Sequence, residues 1–197
     1  MGAGLTPRGW SRLSDVPAAR VANRVSGSEL AVDMNLDSLR ELLCAAESDD
    51  ALVPILDAFL LGAMGRPGRS DAAIERFEAA LLDPSLATVT DLALRVGVTP
   101  RSLERLAQHA FGFPRKLLLR RARFLRSLHA IRSERPAKRT MAIDPGYTDY
   151  SHFVRDAHEF LGMSPQAFLK LNNPLFVQSA QLRSKVLGAP AQALGTR

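Results

Sequence analysis

The sequence predicts an all-α protein, and three observations carry that prediction. Apolar residues recur at spacings of three and four along most of the chain, the period of an amphipathic helix. Alternation of β-branched or aromatic residues with polar ones, the period of a strand, is missing nearly everywhere. Capping residues precede the periodic runs and Gly or Pro follows them, at intervals that suit helices. A chain of 197 residues with 46% apolar content is large enough to bury a core.

Met1–Asn35 has scattered Pro, Gly and Ser around the single Trp10 and only weak periodicity, so it is expected to be irregular or partly ordered. Asp37 reads as the N-cap of a helix over Ser38–Ala46, and Ser48 or Asp49 opens a second helix that ends near Met64. Asp49-Asp50 is the acidic start of that helix rather than an acid/base pair. Cys44 shares a stripe with Leu39, Leu42 and Leu43, which predicts a buried structural thiol. The Gly65-Arg66-Pro67-Gly68-Arg69-Ser70 segment is the clearest linker. It divides a helical N-terminal region (1–70) from a second domain (71–172), with a tail over 173–197.

Beyond the linker the pattern is dense. Helices are expected over Ala72–Leu82, after a cap at Thr88 or Thr90, over Pro100–Ala110 and over Lys116–Ser133, with breaks at Asp83-Pro84-Ser85, at Gly112/Pro114 and at Pro136. A second motif is expected over Met141–Leu161, and Gln166–Leu171 makes a last helical piece after Gly162-Met163-Ser164-Pro165.

Charge is distributed unevenly. Residues 1–94 carry 8 basic and 14 acidic side chains, residues 95–140 carry 13 and 2, and residues 141–197 carry 5 and 4. The middle block is a candidate polyanion-binding region, and 11 of its 13 basic residues are Arg, whose planar fork suits phosphate oxygens and guanine edges.

In Asp91-Leu92-Ala93-Leu94-Arg95-Val96-Gly97-Val98-Thr99-Pro100-Arg101-Ser102-Leu103-Glu104-Arg105-Leu106 the spacing has a physical logic. Ala93 lets two helices approach, Gly97 can end the first in the left-handed conformation, and Thr99 caps the second with Pro100 in its first turn. Leu92, Val96, Val98, Leu103 and Leu106 would bury together, which turns Arg101, Ser102, Glu104 and Arg105 outward as candidate base readers. Ala142 to Arg155 repeats the plan with a turn one residue longer, so that Arg155 corresponds to Arg105 and Tyr150 and Ser151 lie near the helix start. Two such units about fifty residues apart, bridged by an Arg-rich helix, form a far more specific signal than one.

From about Ala72 to Lys170 the chain resembles the DNA-binding domain of AraC/XylS-type transcription regulators. The resemblance rests on the first unit with Arg101 and Arg105, on Phe111-Gly112-Phe113-Pro114, and on Leu118-Leu119-Arg120-Arg121-Ala122-Arg123-Phe124. It extends to Gly146-Tyr147-Thr148-Asp149-Tyr150-Ser151-His152-Phe153-Val154-Arg155 with Gly162-Met163-Ser164-Pro165. There are departures: Pro114 comes one place early, with Arg115 in the usual proline position, and Pro145 in the approach to Gly146 is expected to shorten the second unit's first helix. The resemblance implies two helical subdomains on one connecting helix, with recognition helices in successive major grooves. Those grooves lie about 34 Å apart, and a sixteen-residue helix such as Leu117–Arg132 spans about 24 Å. The roles that follow are base or groove reading for Arg101, Ser102, Glu104, Arg105, Tyr150, Ser151 and Arg155, and phosphate contact for Arg115, Lys116, Lys138, Arg139 and His152. Arg120, Arg121, Arg123 and Arg126 cannot all face DNA, and some are expected to cover the core or pair with Glu104 or Glu134.

Other function classes fit less well. The four His residues have no carboxylate or Cys at supporting spacing, which argues against a metal, a cofactor or an enzyme. A lone Cys44 cannot serve an alkyl-transfer repair enzyme of the kind sometimes fused to this domain. A single Cys suits a reducing bacterial cytoplasm, and Leu52–Met64, interrupted by Pro54 and Asp57, is no membrane span. The partner expected is double-stranded DNA, with RNA polymerase, a second copy or a helical partner of the N-terminal region as protein partners. The region before the linker has no strand pattern from which to build a β-barrel pocket, so no small-molecule effector is expected. The alternative is a helical protein-interaction module, or a DNA-binding subunit without regulatory activity of its own.

Overall fold

The computed structural model describes residues 4–25, 34–86, 88–133 and 142–171. Every regular element among them is helical, as the periodicity predicts: α1 (Pro7–Leu13), α2 (Leu36–Cys44), α3 (Asp49–Ala63), α4 (Asp71–Leu82), α5 (Val89–Val96), α6 (Pro100–Leu106), α7 (Arg115–Ser133), α8 (Tyr150–Leu161) and α9 (Pro165–Lys170). A 3-10 turn, Ala18–Arg20, follows α1, and a π-helical turn, Ala107–Phe111, follows α6.

The helix starts share one grammar. Thr6, Asn35, Thr88, Thr99, Asp149 and Ser164 each accept the backbone N–H three residues on, a cap worth about 1 kcal/mol. Proline follows Thr6, Thr99 and Ser164, where its missing N–H costs nothing. The segment before residue 35 holds a short helix, α1, started by Thr6-Pro7. One expectation is corrected here. The next helix is capped by Asn35, not Asp37, which lies in its first turn, where a carboxylate suits the helix dipole.

One compact unit comprises Met1–Glu75 and Glu104–Phe113. In it α1 and the 3-10 turn pack on the π-helical turn. The Trp10 indole donates to the Val16 carbonyl at 2.8 Å, Arg12 pairs with Asp71 at 2.6 Å, and the Gly65 N–H donates to the Arg12 carbonyl at 3.3 Å. Both ends of the Gly65–Ser70 segment are thereby anchored to α1. The Gly112 backbone is approached so closely that a Cβ there would stand 3.1 Å from the Ala22 Cβ. The hairpin of α2 and α3 buries Leu39 and little else. Cys44 is exposed, contrary to the buried thiol expected, because it lies five residues past Leu39 and hence about 140° round the helix from it.

The second unit comprises Arg76–Leu103 and Pro114–Arg197. Leu92, Ala93 and Val96 of α5 and Leu103 of α6 are buried, whereas Val98, and Leu106 of the first unit, are only half-buried. Helix α5 packs on α7. Further along, Phe124, Leu128 and Ile131 of α7 form one cluster with Tyr147, Phe153, Ala157 and Phe160. The Phe124 ring lies 5.4 Å from Phe153 and 5.3 Å from Phe160. Helix α9 packs on α8.

The second helix-turn-helix, expected over Met141–Leu161, is corrected in part. Residues 142–149 run as bends and turns, and α8 is the helix that follows them. Pro145 has no N–H for a helical bond and steers Asp144 away from helical ψ. The turn closes instead through the Asp144 carboxylate, which accepts the Gly146 N–H at 2.9 Å, and through the Asp144 carbonyl, which accepts the Tyr147 N–H at 3.0 Å.

Candidate nucleic-acid interface

The first candidate surface is α6. Thr88 and Asp91 form a reciprocal capping box that starts α5, and Gly97 ends it at φ +75°, its N–H donating to the Ala93 and Leu94 carbonyls. Thr99 then starts α6, its hydroxyl accepting the Ser102 N–H at 3.2 Å and donating to the Ser102 hydroxyl. Arg101 and Arg105, four apart and therefore on one helix face, are exposed. Ser102 and Glu104 are half-buried, and Glu104 accepts from the Gln108 amide at 3.0 Å. Arg95, just before the turn, is held by Asp83 at 2.7 Å. Hydrogen bonds from the Ser85 hydroxyl and N–H, with Arg95 nearby, hold the Asp83 carboxyl below its ordinary pKa.

The second candidate surface is α8. Asp149 caps it by accepting the His152 N–H at 2.7 Å, a signal present in the sequence three residues ahead of His152. Ser151 and Arg155 are exposed. Tyr150 is half-buried, with its ring 5.8 Å from Phe153, and the half-buried His152 meets the Tyr147 ring edge-on at 5.1 Å.

Behind α8 lies a polar network the sequence did not announce. Asp156 is fully buried, and its carboxylate accepts from Arg120 Nε at 2.8 Å, from Arg120 Nη2 at 2.6 Å and from the Tyr147 hydroxyl at 2.7 Å. Glu159 takes the remaining face of the same guanidinium. Burial opposes the charge on Arg120, but the hydrogen bonds to Asp156 and Glu159 outweigh it and raise its pKa. Burial, then the bond to the carboxylate, also pushes the Tyr147 phenol well above its ordinary value.

A companion clamp holds the turn. Asp144 receives Arg126 Nε at 2.9 Å, while Arg126 also donates to the Leu81 carbonyl at 2.8 Å. The Asp144 N–H donates to the buried Ser127 hydroxyl at 2.9 Å, which itself donates to the Arg123 carbonyl. Arg123 lies over the Tyr147 ring at 5.7 Å. A Cβ on Gly146 would come within 2.5 Å of Arg123 Nε, so the bare backbone makes room for that guanidinium.

The arginines of α7 are therefore largely engaged within the fold. Arg120, Arg123 and Arg126 meet Asp156, Glu159 and Asp144. Arg115 donates to the Pro100 carbonyl at 2.7 Å and ties the start of α7 to the start of α6. Desolvation lowers the pKa of the half-buried Arg121. By contrast, the side chains of Arg101, Arg105, Lys116 and Arg155 have no hydrogen-bond or ion-pair partner among the described residues. Lys138, Arg139 and Glu134 lie outside the described residues. Among the described residues no helix is long and apolar enough to cross a membrane, and no group of His, Cys, Asp and Glu is arranged to hold a metal ion.

A capped helix, a left-handed glycine turn and a second capped helix with exposed arginines define a helix-turn-helix protein of the DNA-binding class. Residues 74–171 match the family model described as a helix-turn-helix domain. That domain is of the AraC type, so residues 74–171 form a DNA-binding domain of the AraC/XylS kind found in transcription regulators. No curated protein and no solved structure matches the chain.

Proposed function

We propose that the chain binds duplex DNA sequence-specifically through its 71–172 domain, with α6 and α8 as recognition helices in successive major grooves, and acts as a non-enzymatic regulator in a bacterial cytoplasm. The observation that carries this reading is the contrast among the arginines. Arg120, Arg123 and Arg126 of α7 are neutralised by Asp144, Asp156 and Glu159, while Arg101, Arg105 and Arg155 are exposed with no partner of their own among the described residues. An exposed guanidinium with an unoccupied fork suits the paired acceptors of a guanine edge.

Arg101, Arg105 and Arg155 are the base readers in this reading, with Ser102, Glu104, Tyr150 and Ser151 shaping the contact. Lys116, Arg115 and His152, with Lys138 and Arg139, supply phosphate contacts. The two kinds of contact separate by experiment. Lys116→Ala is expected to weaken binding equally on all duplexes and to reduce the slope of log affinity against log salt by about 0.9. Arg105→Ala is expected to lose about 1–3 kcal/mol on the preferred duplex and little on an unrelated one. Duplex affinity that ignores salt and sequence would leave a helical protein-interaction module as the better reading.

A further inference from the structure

Arg155 and Glu159 stand four residues apart on α8. Oppositely charged side chains at that spacing are neighbours on a helix surface and pair readily. In this protein they do not. Glu159 gives both carboxylate oxygens to Arg120 of α7, with Nη1 2.9 Å from Oε1 and Nη2 in close contact with Oε2. The same guanidinium holds the buried Asp156 and lies 5.1 Å over the Phe160 ring. One arginine of α7 thus occupies both acidic side chains of α8, and Arg155 has no side-chain partner among the described residues.

We propose that Arg120 is a positioning residue for DNA recognition: by holding Glu159 it prevents an Arg155–Glu159 pair and leaves Arg155 to the duplex. The proposal rests on α8 being a recognition helix. It requires arginine in particular, because a planar fork of five N–H donors spans two carboxylates, whereas the three donors of a lysine ammonium radiate from one point. A released Glu159 competes with the duplex for Arg155 and sets a negative charge beside the phosphates.

Arg120→Lys keeps a cation beside Asp156, so it tests the fork without leaving that buried carboxylate alone. The probe is a fluorescein-labelled duplex recovered from a random library by the parent chain, and anisotropy is read for the full chain. The set comprises the parent, Arg120→Lys, Glu159→Gln, their double variant and Arg155→Ala. Arg120→Lys is expected to weaken binding about three- to fivefold and Glu159→Gln to change it by less than about twofold. The double variant is expected to bind within about twofold of Glu159→Gln, while its thermal midpoint stays as low as that of Arg120→Lys. No loss in Arg120→Lys, a loss that Glu159→Gln does not restore, or recovery of affinity and midpoint in step overturns the proposal with the α8 reading intact. An Arg155→Ala variant that binds like the parent overturns the α8 reading itself.

Discussion

The two motif regions follow one spacing, Ala to Gly in four residues and then a capped helix, yet they are built by different physics. In the first, Gly97 takes φ +75°, and Leu92, Val96 and Leu103 are buried beneath the turn. In the second, Gly146 is not left-handed, the turn closes on the Asp144 carboxylate, and α8 is seated by Asp156, Arg120 and Tyr147. Residue spacing therefore marks where a turn falls but not what holds it. The first region stands on backbone conformation and apolar packing, and the second adds buried hydrogen-bonded charge to an apolar cluster of its own.

That contrast breaks most visibly at Asp156. Asp156→Asn leaves Arg120 and Tyr147 without their buried anion, and because Arg120 is 35% exposed the expected loss is about 3 kcal/mol, near the low end for a broken buried pair. Urea unfolding measures it, and a loss below about 1 kcal/mol would remove buried charge as the second region's support.

The glycines give the next largest effect. A Cβ at Gly97 meets nothing closer than 3.9 Å, so Gly97→Ala suffers only from its left-handed backbone, at about 1–2 kcal/mol. Gly146→Ala has no such strain but shifts the Arg123 guanidinium against the Tyr147 ring and Asp144, with an expected loss under about 1 kcal/mol. Equal losses at the two positions would erase the distinction.

Smaller effects appear in pH dependence. The Tyr147 phenol is raised in the folded chain, so its contribution is full below the ordinary phenol value of about 10 and is lost as pH rises beyond it, where the unfolded chain ionises first. Thermal midpoints from pH 9 to 11 are expected to fall less for Tyr147→Phe than for the parent. Near the first region, Asp83 has the opposite sign. Its lowered pKa stabilises above the ordinary carboxylate range and that contribution is lost as acid is added, and Ser85→Ala is expected to raise the Asp83 titration seen by NMR.

What the sequence revealed was local. Thr88, Thr99, Gly97 and the Ser164-Pro165 start act within three or four residues of themselves, so their meaning is written beside them. Thr6-Pro7 carried the same signal for α1 but stood in a stretch of scattered Pro, Gly and Ser with only weak periodicity. The partners of the α7 arginines were hidden because they are remote in sequence. Arg120 reaches 36 residues to Asp156, and Arg126 reaches 18 to Asp144 and 45 to the Leu81 carbonyl. The charge along residues 95–140 marks the basic block but does not tell arginines engaged inside the fold from those left exposed. Pro145 announced that the second turn would differ, though not that an aspartate would close it.

The central claim is that α6 and α8 each read a stretch of the same duplex. Selection from a random duplex library with the full chain, repeated with Arg105→Ala and with Arg155→Ala, tests it most directly. The account predicts two blocks of preferred sequence about 10 base pairs apart, one relaxed by each substitution. A single block, or both substitutions relaxing the same block, would contradict it.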